Sequence, residues 1–294
     1  MELTLENQYL RVEISSMGAE ITSIYHKDTN REYVWGGDPA VWGRHSPILF
    51  PNCGPAKDKK FIIEGKEYPA KQHGFARDCD HKLVCVDDEL ATLRLESSDK
   101  IRAMYPYKFA MKTTYKLEKN KISCRHKVIN YDDKPIYFSF GFHTGIRCPF
   151  AQGTNSSDYS IVFQKNEDCT RLFSNDSGLM THREEAYKPQ SKSIPITDGI
   201  FTKSMILRGV ASEYIQLEDN RTGDYCRIGH TDSPYTVLWS VPDDIRVVCI
   251  EPWYGLGDAE DSDGDFSKKA GINCLLPMEE FVCEQYIEIG NSKR

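Results

Sequence analysis

Apolar and polar residues alternate at a period of two along most of this chain, and that alternation constrains its fold more than any other feature. Between Phe109 and Leu117, the residues Phe109, Met111, Thr113, Tyr115 and Leu117 fall on one side of an extended backbone, and Ala110, Lys112, Thr114 and Lys116 on the other. Successive strand side chains point to opposite faces, so the pattern predicts a strand with one buried face. Ile122, Cys124, His126 and Val128 repeat it after the short polar connection Glu118–Lys121, which predicts an antiparallel hairpin. Comparable runs occur at 9–14, 19–26, 81–87, 90–96, 135–143, 213–218, 225–229, 235–240, 246–250 and 280–289.

Helical signals are confined to one turn near Pro39–Trp42 and another near Lys100–Tyr105, both too short to carry a bundle. Strands do not alternate with helices, which argues against a parallel nucleotide-binding sheet. Evenly spread strands leave no linker at which to divide the chain. The expectation is therefore all-β: one large antiparallel sandwich over residues 1–294, with the polar stretch 153–190 as loops or short edge strands.

Composition narrows the function classes. With 39% hydrophobic and 28% charged residues the chain has a globular balance and material for a large core. A net charge of −7 without a basic run offers no footprint for nucleic acid or for an anionic membrane. The N-terminus lacks the basic and apolar segments of a secretory signal, and no apolar run approaches membrane-spanning length. Ten scattered cysteines without a Cys-x-x-Cys pair read as reduced thiols in a cytoplasm, with Cys124, Cys249 and Cys283 as small buried hydrophobes.

Four stretches carry the candidate chemistry. In Ile136–His143 the apolar set Ile136, Phe138, Phe140 and Phe142 takes one face, leaving Tyr137, Ser139, Gly141 and His143 on the other, in solvent or in a polar cleft on the outer sheet face. His73 belongs to His73-Gly-Phe-Ala-Arg-Asp78, at a strand end or loop where functional residues collect. Within it, Arg77 and Asp78 read as a structural ion pair that pins the loop. Glu251-Pro-Trp-Tyr-Gly-Leu-Gly-Asp258 follows the apolar run Val247–Ile250, so a buried strand delivers a carboxylate, an indole and a phenol to its end. Aromatic faces and hydrogen-bonding carboxylates are what a sugar site uses, although Trp253 also reads as ordinary core. Glu279 and Glu280 open the final strand with opposite parity, so one of them faces a given cleft. Asp261-Ser-Asp-Gly-Asp265 reads as a solvated acidic loop, because Phe266 stands where a calcium loop needs glycine. The histidines and cysteines lack zinc-ligand spacing.

Taken together, Ser46-Pro-Ile-Leu-Phe-Pro51 with Gly54, the His73–Asp78 motif, Gly141-Phe-His143, Trp239 with Glu251-Pro-Trp253, and Pro277-Met-Glu279 resemble the aldose 1-epimerase (galactose mutarotase) superfamily, in its LacX-like branch, over essentially the whole chain. The resemblance implies a β-supersandwich with a sugar cleft on a concave sheet, neither metal nor organic cofactor, and an aldose as small-molecule partner; it leaves a homodimer open. It implies isomerase chemistry, the interconversion of α and β anomers, with Glu279 as general base on the anomeric hydroxyl and His143 protonating the ring oxygen. It further implies sugar contacts from His73, Arg44, Trp253 and Asp258. Three positions depart from the pattern: Met278 replaces a glycine, Pro55 an arginine, and Lys203–Ser204 a sugar-binding aspartate. Two other readings compete: a non-catalytic carbohydrate-binding or sensory protein, and a hexose-6-phosphate mutarotase with a basic pocket at Arg44.

Overall fold

The hairpin expected around Glu118–Lys121 forms with Glu118 opposite Lys121 and Phe109 opposite Asn130, ten residues on each strand. In this computed structural model, which describes residues 1–293, the hairpin lies in the interior of a nine-stranded antiparallel sheet. The strand Glu280–Asn291 pairs with Lys121–Asn130 on one side and Asp224–His230 on the other, so the C-terminal segment lies inside the sheet. A second large sheet runs from Met180–Tyr187 through Cys169–Ser174, Met205–Arg208, Tyr235–Trp239, Val247–Tyr254 and Phe140–Phe142 to Ile48–Leu49, and Thr144–Arg147 also pairs with Val247–Tyr254. A four-stranded sheet from Glu2–Glu6 to Arg31–Glu32 flanks them. The one α-helix among the described residues is Asp99–Arg102, capped by the Ser98 side chain accepting from the Ile101 N–H.

The core lies between the two large sheets. Met111, Val128 and Ile287 come to it from the nine-stranded sheet, and Phe140, Phe142, Leu238 and Ile250 from its partner. Phe281 joins the layers, with its ring 5.3 Å from Phe138 and 5.5 Å from Tyr254. Each such aromatic or aliphatic side chain removed from water contributes about 1.5–3 kcal/mol, which ties register to burial: a slip of one residue would turn Phe140 and Phe142 outward and His143 inward. All ten cysteines are free thiols, and Cys124, Cys249 and Cys283 are buried as expected.

The polar stretch expected as loops or short edge strands contains strands of both large sheets. The stretch 153–190 holds Tyr159–Phe163 in the nine-stranded sheet and the hairpin Cys169–Ser174/Met180–Tyr187 at the end of the eight-stranded one. Polar residues predominate in Met180–Tyr187 because that strand is an edge, exposed along most of its length. No helix of the described residues is long and apolar enough to cross a membrane.

Candidate functional site

Strand parity builds a cavity on the outer face of the eight-stranded sheet. In Val247–Tyr254, Val248, Ile250 and Tyr254 enter the inter-sheet core, so Cys249, Glu251 and Trp253 take the opposite face. In Tyr235–Trp239, Leu238 is core while Val237 and Trp239 face outward. Phe140 and Phe142 are core, so Gly141 and His143 face the same way as Glu251. Gly141 is required here: a Cβ would lie 2.9 Å from both the Trp253 Cδ1 and the Cys53 Sγ, closer than real contacts allow. The resulting cavity has a volume of about 450 Å³, and the hairpin turn contributes Ser174, Gly178 and Met180 to its wall.

His143 and Glu251 form its floor. The His143 Nε2 lies 3.5 Å from the Glu251 Oε2, and the Trp253 indole N–H donates to that same oxygen at 3.1 Å. Trp42 stacks on the His143 ring at 4.8 Å and 24°, and Trp239 meets it edge-on at 5.6 Å, which fixes the imidazole plane. Burial pushes the Glu251 carboxyl well above its ordinary range, the Trp253 hydrogen bond opposing it. Burial pushes His143 down to about 3, with Arg77 adding to the effect. The geometry is that of an ion pair, yet both directions favour uncharged partners. We take the resting pair as neutral, because burying two charges with a single 3.5 Å contact costs more than it returns. The carboxyl then holds one transferable proton, and the imidazole offers a lone pair that can receive it.

His73 enters from the turn that precedes Gly74. Its own φ is +63°, and a Cβ on Gly74 would lie 2.1 Å from the Phe50 carbonyl oxygen, so only glycine fits there. The His73 ring stands 5.4 Å from His143 and 5.7 Å from Trp253. Burial lowers its pKa well below the usual value, reinforced by His143, Arg77 and Lys269.

The expected site residues divide. His143, His73, Arg44 and Trp253 line the one cavity. Glu279 does not. It is exposed, its Oε2 accepts the Leu276 N–H at 2.7 Å, and its carbonyl takes the Asn130 N–H at the end of a strand of the nine-stranded sheet. The carboxylate thus caps its own turn, one layer away from His143. Met278 before it has φ +66°, the left-handed region that accounts for glycine as the usual residue. Asp258 is also outside the lining: it is buried against Lys269 Nζ at 2.7 Å and accepts the Lys57 N–H at 2.9 Å. Both its oxygens are committed to holding the loop.

The Arg77–Asp78 ion pair does not form. Asp78 takes Arg44 at 2.7 Å and Lys71 at 3.1 Å, while the Arg77 guanidinium has no carboxylate within ion-pair distance and leaves its buried Nε without a partner. Arg44 and Arg77 both line the cavity, as do Pro55 and Ser204. Lys203 turns away to Asp176. The acidic loop 261–265 is occupied with its own neighbours, Asp261 with His182 and Asp263 with Lys268, as a solvated loop should be.

Sequence reasoning noted the Glu251 carboxylate without placing it in the mechanism. The missed signal was parity: Glu251 and Trp253 are two residues apart on a strand, so a site built on one includes the other. Trp42 and Arg77 carried no comparable signal, since both reach the cavity from irregular segments. His143, Cys249 and Glu251 also bring one N, S and O atom within 4.8 Å of one another, the one such grouping among the described residues. Burial holds the Cys249 thiol well above its ordinary pKa, and the Glu251 oxygen already accepts from Trp253, so this donor set is protonated and engaged.

Comparison with known proteins gives a consistent result. The model of the aldose 1-epimerase family matches residues 1–203. The plasmid-encoded protein LacX of Lactococcus lactis subsp. lactis is 28% identical over 289 residues, spanning 95% of this chain and 96% of that one. The structure of a galactose mutarotase related enzyme from Lactobacillus acidophilus superposes with a TM-score of 0.94 at 30% identity, covering 99% of this chain and 98% of that one. A galactose mutarotase-like protein from Lactobacillus casei gives 0.92 at 26% identity, covering 99% and 100%.

Proposed function

The chain belongs to the aldose 1-epimerase family, and from that premise we propose that it is a mutarotase whose acid–base pair is His143 and Glu251. The observation that carries this reading is the 3.5 Å approach of the two side chains on the floor of a cavity walled by Trp42, Trp239 and Trp253. That separation is long for a direct hydrogen bond, and it leaves room for a sugar oxygen about 2.8 Å from each group.

Ring opening needs a proton removed from the anomeric hydroxyl and a proton delivered to the ring oxygen. Transfer of the shared proton from Glu251 to His143 produces a carboxylate that accepts the first and an imidazolium that donates the second. The proton count of the pair is the same before and after, so no exchange with solvent is required. The open form then has a free aldehyde, C1 rotates about the C1–C2 bond, and reclosure runs both transfers backwards to the other anomer. Each well-placed group contributes about 10²–10⁴-fold. The uncatalysed reaction is already measurable, so one such pair is sufficient. The tryptophan rings supply apolar surface for the C–H face of a pyranose.

A second reading concerns the substrate. Arg77 is a guanidinium without a counterion beside Arg44 in the same cavity. That arrangement favours a sugar bearing a phosphate, since a planar guanidinium donates two parallel hydrogen bonds to such a group. Both readings are tested by anomer exchange of freshly dissolved glucose, galactose and glucose 6-phosphate, followed by polarimetry or NMR, with Glu251→Gln beside the wild type. Acceleration that disappears in the variant supports the mutarotase. Saturable sugar binding without acceleration of any anomer supports the non-catalytic carbohydrate-binding protein instead.

A further inference from the structure

His73 and Gly54 are joined twice. The His73 backbone N–H donates to the Gly54 carbonyl at 3.0 Å, and the Gly54 N–H donates back to the His73 ring at Nδ1, 3.1 Å away. The second bond has a chemical consequence. A backbone N–H can only donate, so the ring nitrogen it meets must offer a lone pair and carries no proton. A neutral imidazole with a bare Nδ1 carries its proton on Nε2.

Neither partner is free to move. Gly54 has φ +69°, and a Cβ there would lie 2.8 Å from the Gly257 Cα, so the amide is wedged between two loops. The Asn52 side chain ties the same segment by donating to the Gly54 and Lys71 carbonyls, each at 3.0 Å. His73 is buried, and the groups that face it are His143, Arg77 and Lys269, the last paired with Asp258; it has no carboxylate partner of its own. A second proton on the ring would have to displace the Gly54 amide and to sit among cationic or neutral neighbours. The Nε2 edge remains, on the cavity wall, with the Gln72 side-chain Nε2 3.3 Å away. A protonated Nε2 requires the Gln72 amide to turn over, so that its oxygen replaces that nitrogen.

We propose that the Gly54 backbone amide locks His73 in the Nε2–H tautomer, making His73 a donor-only group that hydrogen-bonds a sugar oxygen and never serves as an acid or a base. The sugar-binding half of this statement rests on the function proposed above; the tautomer does not. Gly54 is the positioning residue, and it acts through its backbone. The division of labour follows: the transferable proton belongs to His143 and Glu251, and His73 polarises the sugar without competing for that proton. A neutral imidazole used as an electrophilic donor needs a low pKa and a fixed tautomer, and the clamp supplies the second.

Two measurements test this. Long-range ¹H–¹⁵N NMR of the intact protein, with the His73 signals assigned by comparison with His73→Gln, reads the tautomer without any substrate. The expected pattern is a protonated ε nitrogen and a bare δ nitrogen, unchanged from about pH 5 to about pH 9. A protonated δ nitrogen, averaging between tautomers, or titration within that window overturns the lock. The second measurement compares His73→Gln, whose amide N–H can reach the Nε2 position, with His73→Asn, whose amide reaches only the Nδ1 position. Donor-only action predicts kcat/KM within about tenfold of wild type for His73→Gln with an unaltered pH profile, and a loss of about 100-fold for His73→Asn. Equal losses in the two variants, or a displaced pH profile in His73→Gln, would show that His73 exchanges protons. Should no sugar prove to be a substrate, the NMR result still decides the lock, and saturable sugar binding by the two variants replaces kcat/KM.

Discussion

His143 and Glu251 meet at 3.5 Å because two antiparallel strand pairings bring them together: Gly141 lies opposite Trp253, and Thr144 opposite Ile250. His143 occupies the break between Phe140–Phe142 and Thr144–Arg147, and because both strands keep one register against Val247–Tyr254 it stands directly opposite Glu251. A cross-strand pairing thus aims the imidazole at the carboxyl.

Glu251→Gln should lower the catalysed rate of anomer exchange by at least about 100-fold, because the amide neither accepts nor donates the shared proton. The fold should be no less stable, since a buried carboxyl is replaced by a neutral group of the same shape. Glu279→Gln, which alters only a cap on an exposed turn, should retain at least about half of the activity. The opposite ranking of these two variants would return the catalytic carboxylate to the C-terminal motif.

These two glutamates show how far the residues could be read without coordinates. The alternation that predicted the central hairpin also put His143 on the face opposite Phe140 and Phe142, and the structure agrees. Parity holds along a strand, so it carries His143, Glu251 and Trp253. It says nothing about residues such as Arg77 and Trp42 in turns, whose direction depends on contacts distant in sequence. Glu279 was placed by motif order, and motif order does not register that its carboxylate can be satisfied by the backbone of its own turn. The edge hairpin around Ser174–Met180 falls in the stretch read as loops or short edge strands, since an exposed edge strand lacks the apolar half of the alternation and resembles a loop in sequence.

Acid should destabilise the fold through buried neutral histidines. Burial lowers His126 and His143 to about 3 and His81 to about 4, so the unfolded chain binds protons between about pH 6.5 and those values that the folded chain refuses. Stability is therefore fully present above about pH 6.5 and falls with decreasing pH, by up to about 1.4 kcal/mol per pH unit for each histidine. His126, with Nδ1 3.0 Å from the Thr113 hydroxyl, lies in the core away from the cavity. Urea midpoints of His126→Gln should fall less steeply than wild type between about pH 6 and about pH 4. Identical slopes would mean that His126 is protonated in the folded state.

Arg77→Gln should raise KM for glucose 6-phosphate by about 10- to 100-fold and leave KM for glucose within about threefold, because a paired guanidinium–phosphate contact is lost only with the anionic sugar. Equal changes for both sugars would remove the phosphate from the proposal. Arg44→Gln should have a smaller effect, since Asp78 already neutralises that guanidinium.

Asp258→Asn should behave as a stability variant rather than a binding variant. Asp258 and Lys269 are each 3% exposed at the side chain and 2.7 Å apart, so removing one charge leaves the other buried without compensation. Breaking such a pair costs about 3–5 kcal/mol. Replacing both partners, as in Asp258→Asn with Lys269→Met, should recover a large part of that loss, because no unpaired charge remains inside. Thermal unfolding of the two variants beside wild type measures the difference. At a temperature where each is folded, sugar KM should stay within about threefold of wild type, since neither side chain lines the cavity. A large rise in KM with unchanged stability would instead make Asp258 a sugar ligand, and the loop that carries Gly257 would then have to open for the carboxylate to reach the cavity.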